Sequence, residues 1–108
     1  MEISKKDWKL FREKLAGWQE NYMAQLNKEY IALLSLEDKK AYEKFWELEK
    51  RIRKDKKHPG VIMEMSKPQA IWNIVDLIRL DVITYEDLAD FSDDLKQAVK
   101  MIFDRNRG

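Results

Sequence analysis

DWKLFREKLAGWQENYM, residues 7–23, is the stretch that decides the architecture. Trp8, Phe11, Leu15, Trp18 and Tyr22 follow one another at steps of three, four, three and four. That spacing lays a single apolar seam along a helix. Ser4 reads as its N-cap, with Asp7 three residues on, and Ile3 and Trp8 hold the two positions of a hydrophobic staple. The seam then shifts to Leu26, Tyr30, Leu33 and Leu34, so a helix is predicted over 5–34. At ~1.5 Å per residue it is ~45 Å long, whereas a compact domain of this chain length spans only ~35 Å. Three arrangements resolve the excess: a bend at Gly17, an extended hairpin with the next helix, or extension into a dimer. Trp8, Phe11, Leu15, Trp18 and Tyr22 are the candidate self-association residues of such a homodimer. The competing reading packs them on the chain's own helices.

The remaining segments follow the same grammar. Ser35 with Asp38 marks a second start, and Ala41, Phe45, Leu48 and Ile52 form one apolar strip beside a second strip of Tyr42 and Trp46. Two strips predict a helix packed on two sides, ended by Pro59-Gly60. VIMEM (61–65) alternates weakly, as a short extended segment would. Ser66 with Gln69 opens a third helix over 67–80, apolar over most of its surface, with Gln69, Asn73, Asp76 and Arg79 as a polar stripe. It reads as the central core helix. Thr84 with Asp87, and Ile83 with Leu88, open a short fourth helix over 85–91. Ser92 opens a fifth over 93–104, burying Leu95, Ala98, Val99 and Ile102, before an RNRG tail expected to fray.

Composition agrees with a small helical domain. The chain has 108 residues, 44% hydrophobic and 38% charged, with a net charge of +1. A charged fraction well above the usual ~25% suits long helices with solvated faces. Cysteine is absent, which removes disulfides and thiolate metal sites. MEISKKDW is polar and leads into no apolar signal core, so a cytoplasmic location is expected. The longest uncharged run, PQAIWNIV, is eight residues, against the ~20 a membrane helix needs.

No catalytic constellation is evident. The single histidine, His58, lies in a turn, and Ser4, Ser35, Ser66 and Ser92 all read as caps. Asp55 and His58 give one D-x-x-H pair where a di-metal bundle uses two Glu-x-x-His motifs and further carboxylates. The three glycines are isolated, so no phosphate-cradling loop is present. A non-enzymatic protein without metal or cofactor is the expectation.

KRIRKDKKHPG, residues 50–60, carries the strongest charge signal: Lys50, Arg51, Arg53, Lys54, Lys56 and Lys57 against Asp55. Cations in the last turns of a helix complement its negative end, and Arg51 and Arg53 can pair with Glu47 and Glu49 one turn back. The local excess is also what phosphate binding requires. It lacks the interleaved aromatics of single-strand binders. DVITYEDLADFSDD (81–94) is its acidic counterpart, suited to helix N-termini or to a basic partner, and the two runs can pair within one chain or across a dimer. A helix-turn-helix over 67–91 fits by length, but its recognition helix would begin Tyr85-Glu86-Asp87 and repel phosphates.

DWKLFREKLAGWQENYM, FWELEKRIRKDKKHPGV and VITYEDLADFSDDLKQAV together resemble a group of small bacterial proteins of unknown function. The resemblance covers nearly the whole chain. It implies a stand-alone bacterial protein with a helical fold and no particular activity.

The expected structure is a single all-α domain over 1–108: a long N-terminal helical hairpin (1–58) with a smaller C-terminal three-helix unit (61–108) packed on it. The leading function is protein–protein interaction, as a small regulatory or accessory protein acting on a protein partner or on itself. The alternative is nucleic-acid association through Lys50, Arg51, Arg53, Lys54, Lys56 and Lys57.

Overall fold

The computed structural model describes residues 2–106. Four α-helices run in chain order: α1 Lys5–Leu34, α2 Ala41–Asp55, α3 Ala70–Arg79 and α4 Asp93–Asn106. Single 3-10 turns at Lys67–Gln69 and Tyr85–Leu88 precede α3 and α4. The chain is all-helical, and no strand occurs among the described residues; VIMEM is irregular chain. The predicted fourth helix contracts to the Tyr85–Leu88 turn, and the short second element of a helix-turn-helix is therefore missing. α4 continues through Arg105 and Asn106 of the tail expected to fray; residues 107 and 108 lie outside the described residues.

α1 is continuous for 30 residues, with no break at Gly17. A Cβ at position 17 would meet nothing within 4 Å, so that glycine marks no close helix contact either. The excess length is resolved as an extended hairpin. The molecule measures 52 × 32 × 21 Å with a radius of gyration of 16.9 Å, against ~13 Å for a compact chain of this size.

The core lies at one end. Ala70, Ile71, Ile74, Val75 and Leu77 of α3 pack with Leu95, Val99 and Ile102 of α4. Ile83, Leu88 and Phe91 from the connection join them, and α1 lays Phe11 and Leu15 across the group, with Ile3 just before it. α3 is the central helix predicted, although Trp72 on it and Leu80 just after it are exposed. Its C-terminus is a Schellman motif. Val82 N–H donates to Leu77 O at 2.9 Å and Asp81 N–H to Ile78 O at 3.1 Å, with Asp81 at φ 60° in the left-handed position that glycine usually takes. This turns the chain sharply enough to return Ile83 and Leu88 to the core.

The caps are partly as predicted. Asp7 N–H donates to Ser4 Oγ at 3.1 Å, and Thr84 N–H to the Asp87 carboxylate at 2.7 Å. Ser66 makes no side-chain cap bond. Ser35 closes α1 instead of opening α2, its Oγ donating to Ile31 O at 2.7 Å, while α2 starts after Lys40 without a side-chain cap.

Asp7 does more than its place in the cap suggests. It is 3% exposed, and its carboxylate reaches Ser92, 85 positions away. Ser92 N–H donates to Oδ1 at 3.1 Å and Ser92 Oγ–H to Oδ2 at 2.5 Å, while Ser92 Oγ accepts from Leu95 N–H at 3.2 Å. One carboxylate thus locks the first turn of α1 to the first turn of α4. Removing it takes away two hydrogen bonds to a charged group, so Asp7→Ala is expected to cost about 2–3 kcal/mol, against about 1 kcal/mol for Ser4→Ala. Urea denaturation of the two variants checks the order; equal losses would reduce Asp7 to a local capping residue.

Candidate functional site

α2 and the end of α1 form the part of the molecule that projects from the core. None of the residues of α2 is buried. The pairing of the two helices is held mainly by polar contacts. Arg51 bonds Glu29 and lies 3.6 Å from Asp55, and its guanidinium sits 5.8 Å over the Tyr30 ring. Tyr30 O–H donates to Asp55 at 2.5 Å. Lys44 Nζ donates to Leu34 O at 3.2 Å, supplying the cation that the last turn of α1 lacks. Burial, then the bond to Asp55, pushes the Tyr30 hydroxyl up to about 12. Burial and the Asp55 charge raise Tyr22 as well.

The base of the hairpin is closed by His58-Pro59-Gly60. Tyr22 stacks on His58 with ring centroids 4.6 Å apart and planes within 5°. Gly60 N–H donates to His58 Nδ1 at 3.0 Å, and His58 Nε2 lies 3.3 Å from Tyr22 Oη. Gln19 donates to Pro59 O at 2.9 Å. His58 is therefore a packed element of the hairpin and not the solvated turn residue that its position suggests. Asp55 is committed to Tyr30 and Arg51, and no metal-holding cluster is found among the described residues.

Of the candidate self-association residues, Phe11 and Leu15 are buried, and Trp8, Trp18 and Tyr22 are half-buried. Phe11 meets Trp8 and Trp18 at 6.2 Å, and Trp18 meets Phe91 at 6.2 Å. Tyr22 covers His58. Phe11 and Leu15 are thus spent inside the chain, and Trp8, Trp18 and Tyr22 each pack one side on it. The exposed apolar face is elsewhere. Tyr42 is 62%, Phe45 62% and Trp46 61% exposed, with Ile52 beside them. Phe45, Leu48, Glu49, Ile52, Arg53 and Lys56 border an open groove of about 320 Å³. The expectation that both strips of α2 are packed is overturned. The sequence signals an apolar face on α2, but nothing in it tells which neighbour covers that face.

The six basic candidates separate into two sets. Arg51 faces α1, held by Glu29 and Asp55 rather than Glu47, and Arg53 is paired with Glu49 as predicted. Glu47 takes Lys39. Lys50, Lys54, Lys56 and Lys57 make no ion pair among the described residues. The acidic 81–94 run does not meet them; Asp90 holds Lys14 at 3.1 Å, and Asp93 holds Lys96. Lys50, Arg53, Lys54 and Lys57 line a depression of about 530 Å³ beside His58. No helix is long and apolar enough to cross a membrane among the described residues.

The Tyr30–Asp55 bond makes a titration prediction. The folded hairpin keeps the Tyr30 proton up to about 12, above the ordinary tyrosine value of 10.0. The folded state therefore binds more protons between these values. Its stabilising share is complete below pH ~10 and is lost as pH rises through ~12. A tyrosinate absorbance titration should show a high-pH step that is missing in Tyr30→Phe. A step that persists in that variant would assign it to another tyrosine.

No family model, curated protein or solved structure matches this chain.

Proposed function

We propose that this chain is a non-enzymatic interaction protein that docks a protein partner on the outer face of α2. One observation carries the reading: Tyr42, Phe45 and Trp46 stand about three-fifths exposed on a helix that buries none of its residues. Aromatic anchors dominate binding energies at interfaces, and a helix of this size with its apolar face in water gains most when a second surface covers it. A photoreactive residue at position 46, introduced into the full-length chain in cells, should yield a discrete adduct. The same residue at the exposed position 97 on α4 should yield none. Absence of an adduct at 46 would overturn the docking role.

A second reading is supported by the depression beside His58. Lys50, Lys54 and Lys57 surround it without ion pairs, and Arg53 adds a fourth cation, a charge density that suits phosphate. Its test is fluorescence anisotropy with labelled duplex DNA, single-stranded DNA and RNA. If α2 serves a protein partner, no binding is expected to survive ~150 mM salt. Binding that survives, and is lost when Lys50, Lys54 and Lys57 become Gln, would transfer the function to nucleic acid.

A further inference from the structure

Lys50, Arg53, Lys54 and Lys57 follow one another at steps of three, one and three at the end of α2. Lys57 belongs to the turn that continues the helix, its N–H donating to Lys54 O at 3.2 Å. At about 100° per residue the four share one side of the helix, within about 100° of arc. Arg51 and Asp55, which bind α1, lie on the opposite side, so the four cations face away from the hairpin. Their neighbours at i, i+3 and i, i+4 are all like charges, a spacing at which like charges destabilise a helix. Arg53 is relieved by Glu49, whereas Lys50, Lys54 and Lys57 have no ion pair among the described residues. The negative end of the helix accounts for Arg53 and Lys54, which stand in its last turn, and not for Lys50.

We infer that this cluster is the site of a compact polyphosphate, an anion that gathers several phosphate charges within the ~10 Å from Lys50 to Lys57. The inference rests on the reading of Lys50, Lys54 and Lys57 as a phosphate-binding cluster, and it replaces the nucleic acid of that reading with a small anion. The same chemistry is offered by a free polyphosphate and by the headgroup of a multiply phosphorylated lipid.

The surroundings limit the size of the ligand. Towards the N-terminus the same side of α2 carries Glu43 and Glu47, which repel phosphate. Towards the C-terminus the chain turns in at Pro59, where Gln19 holds it against α1. A polymer running along the helix therefore leaves the cations at either end. Proteins that hold duplex DNA electrostatically neutralise about 6–10 phosphates, and three free lysines with one arginine fall short of that. Lys56 adds nothing here, since it borders the apolar groove. The depression of about 530 Å³ lies within the ~300–1,000 Å³ of small-molecule sites. Its one carboxylate, Asp55, is bound by Tyr30 and Arg51, so it does not compete for the cations.

Isothermal titration of the full chain with tripolyphosphate at ~150 mM salt tests this. One-to-one binding with a dissociation constant below ~100 µM is expected. Lys50→Gln, Lys54→Gln and Lys57→Gln together should weaken it about tenfold or more. Lys5→Gln, Lys6→Gln and Lys9→Gln together make the same change of charge on exposed lysines of α1 and should leave it unchanged. Tripolyphosphate should also raise the denaturation temperature of the parent chain and of the α1 variant, and not that of the α2 variant. Phosphatidylcholine vesicles containing phosphatidylinositol bisphosphate separate the two sources. Co-sedimentation reversed by tripolyphosphate supports the lipid headgroup, and binding of tripolyphosphate without co-sedimentation supports the free anion. Equal losses in the two triple variants, or no binding by either readout, would overturn the site. Nucleic acid held through the same three lysines, with tripolyphosphate unable to displace it, would overturn the compact anion and keep the nucleic-acid reading. If neither ligand binds, both fall.

Discussion

The ring of Tyr22 occupies the space that a side chain at position 60 would need. A Cβ on Gly60 would lie 2.3 Å from the ring, closer than atoms tolerate. Gly60 has no positive φ, so the position demands glycine for room and not for backbone freedom. From this contact the rest of the arrangement follows. The chain leaving α2 is pinned against α1 by Tyr22, His58 and Gln19, and the direction in which it re-enters the core is fixed there. Asp7 fixes the other end of the core by binding Ser92. Between these two clasps lies everything that is buried around α3. Beyond the Tyr22 clasp lies a hairpin in which α1 buries Leu26 and α2 buries none of its residues.

The sequence makes α1 legible because a seam of five apolar residues at heptad steps has one solution, a helix. The extended hairpin follows from length alone, since 30 residues outrun a compact fold. α3 is legible for the opposite reason, being apolar nearly all round. The caps are less legible. A serine or threonine followed three residues later by an acid or amide looks alike at Ser4, Ser35, Ser66 and Thr84, yet Ser35 closes a helix and Ser66 caps nothing through its side chain. The deciding factor is where the chain goes next, which is a tertiary matter. Asp7 shows the limit most plainly. Its local spacing is that of a capping residue, and its actual partner is 85 positions distant.

The same limit governs the candidate sites. Periodicity tells which residues of a helix share a face, and it does so for Trp8, Phe11 and Leu15 as well as for Phe45 and Trp46. It does not tell which face finds a neighbour inside the chain. The α1 seam finds α3 and α4; the α2 face finds none. The aromatic content of the two helices is similar, so no compositional signal separates them. What separates them is position: α1 enters the core at its N-terminal half, whereas α2 pairs only with the distal half of α1, where Arg51, Asp55 and Lys44 are the contacts.

The basic segment then acquires a meaning different from the one its composition suggests. Arg51 is spent on α1 and Arg53 on Glu49, which leaves Lys50, Lys54, Lys56 and Lys57 as the charge that the fold does not use. Lys50 and Lys54 sit on the same edge as Glu43 and Glu47. Glu47 is itself held by Lys39, whereas Lys50 and Lys54 stay without an ion pair among the described residues. They line the depression beside His58, and Phe45 and Ile52 border the groove on another side of the same helix. Arg53 borders both, so the aromatic face and the basic cluster are two surfaces of α2 and not one.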